Sequence, residues 1–263
     1  MGGAAAILII LASAGLSAVL AALARRRMQV DVLRQHHDVG STAFLQLGVL
    51  YAVLLAFVFS QVWQEYNVAQ QAIAIESSGL HGVAILAETL PEPTRGNIGR
   101  AVTAYVRVVA ENEWPAMARR RASEAAMNAF QNLWQAVARF DAEGRNAETQ
   151  AQMMNLLATA HEQREIRLYQ MGQGVPTPLW VLLVLLSVLL VVLVALAGID
   201  STVSVMVFTG LFAGALASIL VLVRLLDFPF EGALALSPFR FAETLQSLQL
   251  LFGAWGRATR LRP

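Results

Sequence analysis

The chain has 263 residues, of which 57% are hydrophobic and only 14% charged, with a net charge of +1. Soluble domains carry about 25% charged residues, so the composition points to a membrane protein; the near-zero net charge gives no footprint for nucleic acid. Cysteine is absent, which excludes disulfides, a thiol nucleophile and thiolate metal sites, and all 19 basic residues are arginine, as in GC-rich bacterial coding.

A helix needs roughly 20 apolar residues to cross about 30 Å of hydrocarbon. The first run that qualifies is Gly3 to Ala24, free of charge and followed by Arg25, Arg26 and Arg27. It lacks the basic start of a signal peptide and its apolar run is longer than a signal core, so it is expected to be a retained span. The loop RRRMQVDVLRQHHDVGST follows. Its His36, His37 and Asp38 could offer metal ligands, but adjacent histidines do not share a helix face, so the reading is that Asp38 or Ser41 caps the next helix. No metal site and no cofactor are expected.

The second run, Ala43 to Trp63, is uncharged and passes without Gly or Pro into polar sequence that continues to Leu90. Trp63 and Tyr66 sit where apolar sequence meets water, as interfacial anchors do. Pro91 and Pro93 end that helix. Thr94 is placed to cap a helix running to about Asn112 on the stripe Val102, Tyr105, Val106 and Val109. EWPAMARRR reads as a corner, with Arg119 to Arg121 neutralised by Glu111, Glu113 and Glu124. Ser123 caps a third polar helix with Met127, Phe130, Leu133, Trp134 and Val137 on one face, and a fourth runs from about Asn146 to Met171. On it, HEQRE places His161 beside Glu162 and Glu165 but lacks the second histidine of a zinc-protease helix.

The third apolar run is Pro178 to Ile199 and the fourth Val203 to Leu226, with Arg224 near its end. Arg224 and Asp227 are three apart and are read as a structural ion pair at the boundary. The small-residue stretch TGLFAGALAS at 209–218 favours close helix contacts. The fold expected is therefore all-α: a polytopic membrane protein with four transmembrane helices and a helical extramembrane bundle between the second and third. Its segments are 1–63, 64–177, 178–226 and a C-terminal 227–263. No phosphate loop, GxSxG, dinucleotide fingerprint or buried acid–base pair is evident, so the protein is not expected to be an enzyme.

Several stretches in order along nearly the whole chain carry a likeness: RRR with HHDVG at 36–40, LGVLYAVLLAFV at 47–58, VWQEYN at 62–67, LPEPTR at 90–95, EWPAM at 113–117, LDFPFEG at 226–232 and SPF at 237–239. In these the chain resembles the bestrophin-like membrane proteins, and in layout it is similar to bestrophin anion channels. The resemblance implies a homo-oligomer, a pentamer by analogy, in the inner membrane of a bacterium, whose second span lines a pore for small anions. The positions that match the apolar neck are Leu45, Val49 and Val53, spaced i, i+4, i+8. The calcium-binding acid cluster is missing, since PFEGALALSP has only Glu231, so calcium gating is not expected. The arginines after the first span place the first loop in the cytoplasm, whereas the resemblance implies the opposite sense. The alternative is a non-conducting scaffold or sensor that binds a partner through its extramembrane helices.

Overall fold

The computed structural model describes residues 1–27, 37–140 and 145–253. Among these, every regular element is helical: α1 (Gly3–Arg27), α2 (His37–Ala87), α3 (Thr94–Val108), a π-helical turn (Val109–Glu113), α4 (Trp114–Met117), α5 (Glu124–Ala138), α6 (Arg145–Gly172), α7 (Thr177–Ala195), α8 (Thr202–Leu226) and α9 (Phe239–Gly253). Four of them, α1, α2, α7 and α8, are long and apolar enough to cross a membrane. The protein is a four-span, all-α membrane protein.

The chain divides into two compact units, the first made of 1–65, 174–228 and 232–234, the second of 66–173, 229–231 and 235–263. In the first, α1 packs along α8 through small residues. A Cβ on Gly210 would lie 3.2 Å from the Ala14 carbonyl oxygen and 3.3 Å from the Ala18 Cβ, and one on Gly214 would lie 3.3 Å from the Ala14 Cβ. A side chain at either position would have to push those atoms back by a few tenths of an ångström, so glycine suits the close approach of the two backbones, which is the small-residue contact foreseen for 209–218. On the opposite side of α8, Phe212 meets Phe44 of α2 at 5.6 Å between ring centroids. The Tyr51 and Ser187 hydroxyls lie 2.9 Å apart and tie α2 to α7.

The second unit buries the side of α2 that carries Ala69, Ile73, Leu80, Val83 and Ala87 against α3, α5, α6 and α9. Ser123 caps α5 as expected, accepting from the Ala126 N–H at 3.3 Å. Two local expectations are corrected and a third is narrowed. Thr94 is not a cap: α3 begins on it, and the Glu92 carboxylate accepts the Gly96 N–H at 3.2 Å instead. Neither Asp38 nor Ser41 caps α2, which has already started at His37; the Ser41 hydroxyl donates back to the Asp38 carbonyl at 3.0 Å. EWPAMARRR does hold the expected corner, but only in its second half. Pro115 has no N–H and crowds the carbonyl four residues back, and the widened π turn just before it absorbs this without ending the helix. The chain turns after Met117, where Arg120 takes φ 57° and the Arg121 N–H closes onto the Ala116 carbonyl at 3.0 Å.

Candidate functional site

Two features stand out, one in each unit. The first is the side of α2 that the first unit leaves uncovered. Tyr51, Leu55, Val58 and Val62 face inward, while Leu45, Val49 and Val53 are 66%, 63% and 52% exposed. At about 100° per residue, steps of four and three keep one side of a helix. The exposed row in this unit therefore reads Leu45, Val49, Val53, Ala56, Ser60 and Gln64. Within the second unit α2 again has one inward side and one outward side, and its outward positions at the same steps are Asn67, Gln71 and Ser78, all exposed.

No residue of either row carries a charge. Glu65 stands off the row, accepting from Gln61 at 2.7 Å, and Glu76 points inward. The apolar part of the row was legible in the sequence; the neutral amides were not singled out, although their spacing was there to be read. Trp63, an expected anchor, is half exposed and stacks on Phe59 at 6.3 Å, and Tyr66 is half-buried.

The second feature is a buried ionic cluster, which the sequence reading did not foresee. Arg167 of α6 is fully buried and donates through Nε to Glu76 Oε2 at 2.8 Å and through Nη2 to Glu113 Oε2 at 2.7 Å. Arg164, one turn earlier, donates to Glu113 Oε1 at 2.6 Å. The Tyr105 hydroxyl donates to Glu76 Oε1 at 2.7 Å, and Arg167 Nη1 lies 2.7 Å from the Met117 sulfur. The rings of Trp114 and Phe241 flank the same guanidinium at 5.3 and 5.6 Å. Glu113 thus pairs with Arg164 and Arg167, not with the arginines at 119–121; of those, Arg120 reaches Glu231 at 2.5 Å. Glu113 lies four residues beyond the buried Val109 and four before the buried Met117, on the inward side of this segment.

Charges of both signs hold one another in the ionised state. Burial alone would raise the pKa of Glu113, but Arg167 and Arg164 outweigh it and hold the carboxyl below its ordinary 4.5. Burial would lower the pKa of Arg167, and Glu76 and Glu113 reverse that and raise it. Burial and the adjacent Glu76 push the Tyr105 phenol well above 10. A carboxyl with a depressed folded-state pKa adds stability above its unfolded pKa and loses it as pH falls through the folded value. Acid titration followed by circular dichroism should therefore show the helical signal stable from neutral pH down to about 4.5, with loss only below it. Glu113→Gln should flatten that acid limb.

The Arg224 guanidinium lies over the Phe228 ring at 4.2 Å, while Asp227 Oδ1 accepts the Val175 N–H at 2.7 Å. Burial raises the Asp227 pKa, opposed by that N–H, by Trp180 and by the Arg224 charge. His36 lies outside the described residues, as does the His37 side chain. Among the described residues no group of three or more histidines and carboxylates could hold a metal. His161 stacks on Phe130 at 5.2 Å and Glu165 lies 3.6 Å from Arg164, so HEQRE serves packing and charge.

A family model described as Bestrophin-like domain matches residues 11–241. A crystal structure of a bacterial bestrophin homologue from Klebsiella pneumoniae, phased on zinc, is similar with TM-score 0.72 and 15% identity, over 94% of this chain and 98% of its own. A point mutant of such a homologue has TM-score 0.73 and 15% identity over 94% and 98%. Another crystal structure, of a mutant described only as a membrane protein, has TM-score 0.71 and 15% identity over 94% and 98%. No curated protein matches the chain. At these identities the solved structures establish the fold.

Proposed function

The chain belongs to the bestrophin-like family, and from that premise we propose that identical copies assemble in a bacterial inner membrane with α2 around a central axis, passing small anions along it. The observation that supports this is the uncharged row. A side facing lipid would account for Leu45, Val49 and Val53 but not for Ser60 and Gln64. A side facing bulk water would account for Asn67 and Gln71 but would ordinarily carry charges. A side facing its own copies suits both stretches. Like charges repeated around an axis would repel, whereas amides and hydroxyls can bond to one another, to water and to a passing ion.

The apolar positions Leu45, Val49 and Val53 form the neck in this reading, a constriction that conducts when wetted and closes when dry. The amide N–H and hydroxyl donors of Ser60, Gln64, Asn67 and Gln71 offer partial positive charge to an anion that has shed part of its water. Trp63 and Tyr66 anchor the helix at the interface. Arg224 and Asp227 end the fourth span as a loosely coupled structural pair.

Purified protein in planar bilayers should give anion currents, and Val49→Ala should change their amplitude or open probability by widening the neck. Well-folded oligomers that stay electrically silent would contradict the proposal and favour a scaffold or sensor that works through its helical extramembrane region.

A further inference from the structure

The last turn of α1 holds Arg25, Arg26 and Arg27. Arg26 and Arg27 are exposed, as expected at the end of a membrane span. Arg25 is not: only 8% of it is exposed, and its Nε, Nη1 and Nη2 are all buried without a hydrogen-bond partner among the described residues. It continues the side of α1 that packs on α8. Ala14 and Ala18 meet Gly210, Ala21 is 1% exposed, and Arg25 follows one turn on. The two helices are antiparallel, since Gly3 approaches Ala233 while Ala14 meets Gly210 and Gly214. The end of α1 therefore lies toward the start of α8, where the Ser201 hydroxyl already accepts the Ser204 N–H.

A guanidinium has five N–H donors and stays charged at any physiological pH. Leaving it desolvated and unpaired is among the most costly arrangements a fold can hold. The neighbouring helix start adds positive, not negative, potential. The missing partner is thus an anion, and one with several acceptor oxygens in a plane-matched fork. We propose that Arg25 binds a phosphate-type oxyanion, supplied by the headgroup of an anionic phospholipid. Phosphate accepts guanidinium hydrogen bonds bidentately. The position at the end of a 25-residue span is headgroup depth. The exposed Arg26 and Arg27 beside it add the attraction that polybasic span ends show for anionic membranes.

The test uses the full chain purified in zwitterionic detergent. Thermal unfolding and native mass spectrometry follow titration with phosphatidylglycerol, with phosphatidylcholine and with inorganic phosphate. Phosphatidylglycerol should raise the melting temperature by several degrees and remain bound in the gas phase, while phosphatidylcholine and inorganic phosphate should not. Arg25→Leu should abolish that increment, and without lipid it should melt no lower than the wild type because it removes an unpaired buried charge. Arg25→Lys, which keeps the charge but loses the fork, should retain less than half of the increment, and Arg27→Leu most of it. Equal response of wild type and Arg25→Leu to phosphatidylglycerol would overturn the site. An equal increment from inorganic phosphate would overturn the lipid assignment and leave an oxyanion site. Should Arg25→Leu fail to fold, the Arg25→Lys titration and the lipid count on the wild type decide alone, and an undiminished Arg25→Lys increment would overturn the site.

Discussion

Arg167→Met should destabilise the second unit by about 3–5 kcal/mol, the usual cost of removing one partner from a buried ion pair. Methionine has nearly the right length and fills the space beside Trp114 and Phe241, so the loss is electrostatic more than steric. It leaves Glu76 with only the Tyr105 hydroxyl and Glu113 with only Arg164. Both carboxylates are fully buried, and each is then left in the core short of a charge partner. Chemical denaturation of the extramembrane helices, read by Trp114 fluorescence, measures this directly. The double variant Glu76→Gln with Arg167→Met should lose clearly less than the sum of the two single variants, because the second change removes a charge the first has orphaned. Additive losses would mean that the two side chains do not depend on each other.

The second large effect concerns ion choice. In the proposed assembly, Gln64→Glu sets a ring of carboxylates around the axis. At about 8 Å in water each adds roughly 0.5 kcal/mol against a passing anion, and several copies together reach about 1–3 kcal/mol, roughly a fivefold to 150-fold change in relative permeability. The reversal potential under a salt gradient should swing from the anion side to the cation side, and the swing should shrink in high salt. Gln70→Glu is the control. Gln70 is also exposed, but it sits about 120° around α2 from Gln64. The same charge there should leave the reversal potential within a few millivolts of the wild type, apart from long-range effects that salt removes. Equal shifts from both variants would mean that the row has no special direction.

The membrane part of the fold is written in composition: four apolar runs of span length, small residues at 209–218 and prolines at 91 and 93 correspond to spans, a close helix contact and a helix end. Helix ends were read less well. Thr94 and Ser41 have cap chemistry, but Glu92 reaches the free N–H groups of α3 first, and α2 has begun before Ser41.

The buried cluster was missed for a different reason. Charged residues were assigned to the surface by type, yet the pattern places them inside. Met153, Leu157, Ala160, Arg164 and Arg167 step by four, three, four and three along a single buried side of α6, so the arginines continue an apolar stripe. Glu76 sits likewise between Ile73 and Leu80 on the inner side of α2. A charge in register with a core stripe signals an internal partner of opposite sign, and two arginines against two glutamates balance. The second glutamate was legible in the same way: Glu113 lies four residues after Val109 and four before Met117, both buried, on the stripe that runs from Val102.

The neck candidates show the converse limit. Nearly every residue of the second span is apolar, so the spacing of Leu45, Val49 and Val53 carries little by itself. Their uncovered side gains meaning from the inward residues opposite and from the uncharged polar positions that follow at the same steps.

The most direct test is a density map of the purified particle in lipid nanodiscs. A closed ring of copies is expected, with the Leu45, Val49 and Val53 side chains of every copy pointing at an open axis. A lone subunit, or a ring in which those side chains touch acyl chains while other residues fill the axis, would contradict it.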